Sequence, residues 1–291
     1  MILWKDYHLA HSIEDALETL WNAPGPARLI AGGTDLLLDL QQGRHPPVHT
    51  LVDVSAVPEM TSIELRREKL FIGAAVPLNR VVLSPLVQEH AEALVEAAGL
   101  IGGPQVRNTA TLGGNVAHAL PAGDGTIALL ALGAQAEIAG GSGIYRSPLE
   151  DLYLGPGRSR LATQEELLVG FYLPIRSKNE GSAFQRIMRP QGVAIAILNL
   201  AAWIRRRGDV ILDVRLAIGP AGPIPRRSNE AEHVLRGKKM SPEVREKAVG
   251  SLLAEASFRT SPHRATAEYR KYMAGVLLEN VLETAWQRSA S

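Results

Sequence analysis

Apolar positions along the chain alternate between helical spacing and short continuous runs. Ser12-Ile13-Glu14-Asp15 is a capping-box pattern, and Ile13, Ala16, Leu17, Leu20 and Trp21 follow at helical spacing, which predicts a helix burying one stripe. Asn22 to Pro26 breaks it. Ala27 to Ala31 reads as a buried strand running into Gly32-Gly33-Thr34-Asp35, Leu36 to Gln42 as a helix and Thr50 to Val54 as a strand, the alternation of an α/β unit. Residues 61–75 change character, with Ile63 to Leu65 and Leu70 to Ile72 flanking Arg66-Arg67-Glu68-Lys69 as an antiparallel hairpin. A helix over about Pro85 to Ala98, a glycine-rich stretch from Ile101 to Asn115, an apolar helix over Asp124 to Leu132 and a strand over Ala134 to Ala139 come next.

A second capping box, Thr163-Gln164-Glu165-Glu166, predicts a helix start leading into Leu167 to Leu173. Pro174 to Gly181 is polar and broken by Pro and Gly, as a linker would be. Beyond it lie three strand-like runs, Phe184 to Met188, Ala194 to Ile204 and Val210 to Ile218, with Arg207-Gly208-Asp209 turning between the last two. The final quarter reads as helices over Ser228 to Leu235, Pro242 to Ala256 and Ala265 to Trp286.

Composition narrows the class. A chain of 291 residues can bury roughly 75% of its unfolded surface and suggests two domains. A net charge of +1 and short basic clusters give no footprint for nucleic acid. The absence of Cys removes disulfides, thiolate zinc sites, catalytic thiols and iron–sulfur ligation by this chain. The longest apolar run, Val193 to Ile204, carries Asn199 and stops at three arginines, short of the about 20 residues of a membrane span. The N-terminus lacks the basic start and apolar stretch of a signal peptide, so a cytoplasmic location is expected.

Self-sufficient catalytic machinery is not evident. His45 and His49 are separated by Pro46-Pro47 and cannot share a helix face, so no metal site is expected. There is no G-x-S-x-G elbow, P-loop or G-x-G-x-x-G, and no catalytic residue is assigned.

The chemistry concentrates in two diglycine turns. Gly32-Gly33-Thr34-Asp35 sits where a strand meets a helix; paired glycines let the backbone approach a ligand, and successive N–H groups make an anion cradle. Asp35 is placed to accept from the loop or cap the helix. Thr111-Leu112-Gly113-Gly114-Asn115 repeats the device, preceded by Arg107-Asn108, a candidate for phosphate or for the surface. Asp124, nine residues beyond Asn115, is placed either to hold a ribose hydroxyl or to cap the following helix. Two such cradles suit one ligand whose diphosphate is pinned between them.

Four motifs in order, Ala31-Gly32-Gly33-Thr34-Asp35, Ile101 to Asn108, Thr111 to Asn115 and Pro121-Ala122-Gly123-Asp124, resemble the FAD-binding medium subunit of the molybdenum hydroxylases. That family includes carbon monoxide dehydrogenase, xanthine dehydrogenase and 4-hydroxybenzoyl-CoA reductase. Gly155-Pro156-Gly157 with Glu165 to Leu168, Phe184 to Arg189 and Ala267 to Arg270 extend the similarity along nearly the whole chain. The resemblance implies an α+β fold. It implies two α/β FAD-binding subdomains of vanillyl-alcohol-oxidase (PCMH) type, over about residues 1–57 and 58–176. A C-terminal domain over 177–291, with a three-stranded antiparallel sheet and helices, would complete it.

The implied cofactor is FAD. Its diphosphate would be held by the backbone of Leu29, Ile30, Ala31, Gly32, Gly33, Thr34 and Asp35 and by Thr111, Leu112, Gly113, Gly114 and Asn115. Asp124 would take the adenosine ribose, Ile101 and Leu168 would pack the adenine side, and Arg186 would stand near the isoalloxazine, where relatives often carry Lys. The implied partners are a molybdenum-cofactor large subunit and a [2Fe–2S] small subunit, with NAD, a quinone or oxygen as soluble acceptor. The chain departs from the pattern at Gly192-Val193-Ala194, where many relatives carry an Asp and a bulky residue, and it cannot hold the iron–sulfur insertion of the 4-hydroxybenzoyl-CoA reductase flavin subunit.

Overall fold

A computed structural model of the chain describes residues 2–162, 164–189 and 195–290. Thr163 of the second capping box and the Gly192-Val193-Ala194 departure lie outside the described residues. The first layer is built from β1 (Asp6–Leu9), α1 (Ile13–Asn22), β2 (Ala27–Ile30), α2 (Leu36–Gln41), β3 (Thr50–Asp53) and α3 (Pro58–Thr61). Its strands form a parallel sheet in the order β1-β3-β2. The Ser12 side chain caps α1 by accepting from the Asp15 N–H, as the sequence predicts.

A larger antiparallel unit follows, running through β4 (Ile63–Arg66), β5 (Lys69–Gly73), α4 (Leu78–Leu83), α5 (Pro85–His90), α6 (Glu92–Leu100), α7 (Pro104–Arg107), α8 (Leu112–Ala117), α9 (Asp124–Ala131), β6 (Gln135–Gly140), β7 (Gly143–Pro148), β8 (Tyr153–Gly155), β9 (Arg158–Ser159) and β10 (Glu166–Pro174). Its main sheet has the order β4-β5-β10-β6-β7. The helix expected over Pro85 to Ala98 is two helices, because Ala91 takes φ −145° and ψ 52° between α5 and α6. Leu167 to Leu173 is not the predicted helix either. It is the middle of β10, paired with β5 on one side and β6 on the other. A central strand covered on both faces has no reason to alternate, so its continuous apolar run imitates a buried helix.

The third unit holds β11 (Glu180–Ile187), β12 (Leu198–Arg207), β13 (Val210–Gly219), β14 (Arg226–Arg227), α10 (Asn229–Leu235), α11 (Pro242–Glu255) and α12 (Ala267–Arg288). The expected three-stranded sheet has four strands: three long antiparallel ones, with β14 added at the edge opposite Ala217 and Ile218. A two-residue strand hemmed by Pro223 and Pro225 leaves no periodicity to read.

Two apolar cores lie on either side of this third sheet. The larger includes Phe71, Leu94, Ile127, Leu129 and Phe171, the smaller Leu200, Leu216, Leu278 and Val281. The C-terminal sheet is fastened to α6 by polar groups. Ser182 Oγ accepts from the Ala93 N–H at 3.2 Å, and Glu96 accepts from the Phe184 N–H at 2.8 Å and from Arg288 at 2.6 Å. This bond carries the end of α12 back to the middle of the chain.

Candidate functional site

β2 delivers the first diglycine turn to the edge of the larger unit. Gly33 adopts φ +67°, a left-handed conformation that strains any side chain, with Ile30 and Leu37 closing in at 3.0 Å where a Cβ would stand. At Gly32 the requirement is contact. A Cβ there would lie 2.1 Å from the carbonyl oxygen of Thr109 and 2.9 Å from Ala110 Cα. The first turn therefore rests directly on the peptide that introduces the second. The N–H groups of Gly32, Gly33, Thr34 and Asp35 donate to no acceptor among the described residues. Asp35 is exposed and makes no capping bond to α2.

The second turn is built differently. Thr111 is the N-cap of α8, its hydroxyl accepting from the Gly114 N–H at 3.1 Å. The Leu112 N–H goes to the Val76 carbonyl at 3.2 Å, that of Gly113 to Ala74 at 2.8 Å, and that of Asn115 to Thr111 at 3.1 Å. The four N–H groups from Leu112 to Asn115 are thus spent within the protein, and a run of unspent N–H groups is found only in the first turn. Gly113 serves packing, since its Cβ would meet Ala74 at 2.5 Å. Gly114 faces open space, with only the Thr111 hydroxyl within 4 Å of where a Cβ would stand. Asn115 Oδ1 accepts from the Thr126 N–H at 3.2 Å, tying α8 to α9.

Leu29 packs against the larger core, and Ile30 against a small cluster with Leu40, Val48 and Leu51. Ile101 is half-buried beside the larger core, and its carbonyl, with that of Gly102, accepts from Arg107 at 3.2 and 2.6 Å. Arg107 is therefore folded back on its own chain rather than free for phosphate. Leu168 is buried in the larger core beside the irregularity between β10 and β6.

Asp124 does not cap α9, whose N-cap is Gly123. Its carboxylate is buried and paired with Arg186 of β11, 62 residues away, through one oxygen. The other oxygen accepts from Asn199 Nδ2 at 2.5 Å. Burial pushes the Asp124 carboxyl above its ordinary pKa, and the Arg186 charge and the Asn199 amide pull it part of the way back. Sequence reasoning sets Asp124 on a ribose and Arg186 beside the isoalloxazine; the structure puts them in direct contact. Asn199 belongs to the cluster but was not singled out for it, although a lone amide inside the apolar run before Ile204 was its signal.

Three features fit a dinucleotide with a diphosphate: the unspent N–H groups of the first turn, the open face of Gly114, and a buried orphan donor, Arg186 Nε. A half-open hollow of about 170 Å³ lined by Leu130, Gly133, Gln135 and Arg227 involves none of these residues. No group of three or more His, Cys, Asp or Glu among the described residues could hold a metal ion.

The order of these parts along the chain matches two family models end to end. Residues 4–176 match the FAD binding domain in molybdopterin dehydrogenase, and residues 182–285 the CO dehydrogenase flavoprotein C-terminal domain. The chain belongs to the FAD-binding medium subunits of the carbon monoxide and xanthine dehydrogenase family. This medium subunit is 31% identical over 287 residues to the xanthine dehydrogenase FAD-binding subunit of Escherichia coli O157:H7, covering 98% of the chain and 97% of that protein. It is 30% identical over 285 residues to the carbon monoxide dehydrogenase medium chain of Hydrogenophaga pseudoflava, covering 98% of each. Among solved structures, carbon monoxide dehydrogenase from Hydrogenophaga pseudoflava, lacking the Mo-pyranopterin moiety of the molybdenum cofactor, superposes with a TM-score of 0.93 at 29% identity over 99% of both chains. Quinoline 2-oxidoreductase from Pseudomonas putida 86 gives 0.89 at 26% identity, over 99% of this chain and 98% of that one. The cofactor of the medium subunit is FAD. No helix among its described residues is long and apolar enough to cross a membrane.

Proposed function

We propose that this chain is the flavin relay of a cytoplasmic molybdenum hydroxylase complex. A large partner subunit carries the molybdenum cofactor and oxidises the substrate; a small one carries [2Fe–2S] clusters that deliver electrons to this chain, which passes them to a soluble acceptor. Bound FAD supplies a ring able to exchange electrons singly or in pairs. The protein's own work is binding and electrostatics. The N–H groups of Gly32 to Asp35 hold the diphosphate, the Thr111 hydroxyl proton and the Asn115 amide flank it, and Gly114 leaves room for it. Ile101 and Leu168 offer the apolar wall for the adenine. Asp124 and Arg186 act as one unit beside the ring, with one carboxylate oxygen held by Arg186 and the other by Asn199.

The observation that carries this reading is the contact of Gly32 with the Thr109–Ala110 peptide, which sets the first diglycine turn against the start of the second. A division into an FAD-binding domain over 1–176 and a C-terminal domain over 177–291 is part of the proposal, supported by β10 ending at Pro174 and β11 opening at Glu180. Co-purification from the native host followed by flavin, molybdenum and iron analysis tests the assembly. Gly114→Val tests the site, because its added methyl groups enter the open face; near-stoichiometric flavin in that variant contradicts the assignment. Turnover of an organic substrate by the purified chain alone would mark a self-contained oxidase instead.

A further inference from the structure

β11, β12 and β13 set Arg186, Asn199 and Gly219 side by side across the C-terminal sheet, as consecutive partners in the strand register. Asn199 is fully buried in the middle of this row. Its amide nitrogen donates to Asp124 Oδ1 at 2.5 Å and to the Ala122 carbonyl at 3.1 Å, so it grips both the carboxylate and the turn that presents it. Gly219 makes room for the grip: a Cβ there would stand 2.1 Å from the Pro121 carbonyl oxygen and 3.0 Å from Asn199 Oδ1. Asp124 thus receives one donor on each oxygen, from two neighbouring strands of a different unit.

The amide is costly where it stands. Its Oδ1 is buried without a donor, an orphan that a leucine of similar size would remove at the expense of the donor to Asp124 and Ala122. What the amide adds is a second, uncharged donor to a carboxylate that burial drives toward its neutral form. A neutral Asp124 would leave Arg186 as a buried cation with no carboxylate partner among the described residues, where its other hydrogen bond is to the thioether sulfur of Met188 at 3.0 Å. Electrical balance at this corner therefore depends on a residue that is itself uncharged.

We infer that Asn199 is a positioning residue: from the C-terminal sheet it holds the Asp124 carboxylate in its pair with Arg186, and so fixes the net charge felt by the FAD ring. This rests on the proposal that the pair stands beside that ring. Asn199 acts through Asp124 and need not touch the cofactor, since its free oxygen is closed off from solvent.

The test uses the full chain loaded with FAD, reading flavin content and the midpoint potential of the bound flavin across pH. Asn199→Leu and Asp124→Asn both remove one negative charge from the corner, so both are expected to retain flavin and shift the potential in the positive direction. Asn199→Asp sets a second carboxylate against the first. At low pH its protonated form replaces the amide as donor and the potential matches wild type; at higher pH the potential falls below it. A residue that merely packs the sheet leaves the potential of Asn199→Leu at the wild-type value. If Asp124→Asn shifts the potential while Asn199→Leu leaves it at the wild-type value throughout, the role of Asn199 is overturned and the ring-end reading stands. If Asp124→Asn leaves the potential unmoved with flavin bound, the ring-end reading fails, and this inference with it. Should Asn199→Leu not fold, Asn199→Ala, which removes the same donor, is read in its place.

Discussion

Gly32→Ala isolates the contact on which the cofactor site is built. Gly32 shows no left-handed backbone that would bar a side chain, so the effect of one methyl group is purely steric. The new carbon would start 2.1 Å from the Thr109 carbonyl oxygen, while ordinary contact begins near 3.4 Å, so the two turns must part by about 1.3 Å. Both opposing atoms are backbone, and the Ala110 N–H is fixed to the Val106 carbonyl at 2.7 Å, so no flexible side chain can yield. Overpacking of this kind costs about 1–3 kcal/mol, which for a domain of this size lowers the melting temperature by roughly 2–10 °C. If FAD bridges the turns, the same misfit appears in its affinity as a loss of roughly 5- to 150-fold. Thermal melting of the flavin-free chain and titration with FAD by fluorescence quenching measure the two effects separately. Gly114→Ala is the control for stability, because its methyl group would meet only the Thr111 hydroxyl, at 3.1 Å, and Ala suits a helix better than Gly by about 1 kcal/mol. An unchanged melting temperature in Gly32→Ala would refute the close approach. A lowered one with wild-type FAD affinity would show that the turns touch for reasons unrelated to the cofactor.

Arg186→Met leaves Asp124 buried without its charged partner, and the carboxyl, already above its ordinary pKa through burial, rises further. The folded state then keeps a proton that the unfolded chain releases from about pH 4 upward. The stability of the variant relative to wild type therefore falls as pH rises through the interval between the wild-type and the variant folded values, both of which lie above the unfolded one. Urea unfolding at pH 4.5 and 7.5 checks this, and an equal deficit at both would contradict it. Arg288→Ala removes the donors to Glu96 at 2.6 Å and to the Ser182 carbonyl at 2.8 Å, and should cost about 1–3 kcal/mol in the same assay; a loss below about 0.5 kcal/mol, the scale of an ordinary surface substitution, would mean α12 is held by its apolar face alone.

The first glycine turn could be read from sequence because only glycine meets what each of its positions demands, a positive φ at Gly33 and a backbone contact at Gly32. Short-range signals such as the Ser12 cap and the hairpin at Arg66 to Lys69 were equally plain, since their partners lie within a few residues. What escaped was set by pairings far apart in the chain. β10 is a strand because β5 and β6 flank it, and nothing inside Leu167 to Leu173 announces that. The second turn lacks a run of spare N–H groups because Ala74 and Val76 claim two of them across more than thirty residues. Asp124 and Arg186 each looked like a separate contact to the ligand until the fold joined them.

The unequal finish of the two glycine turns has a consequence for how the protein meets its cofactor. The turn at Thr111 is internally satisfied and already rigid, like a wall standing before the furniture arrives, whereas Gly32 to Asp35 keeps its donors idle. On the proposed reading, loss of freedom on binding then falls on one short stretch, and the remainder is prepaid by folding.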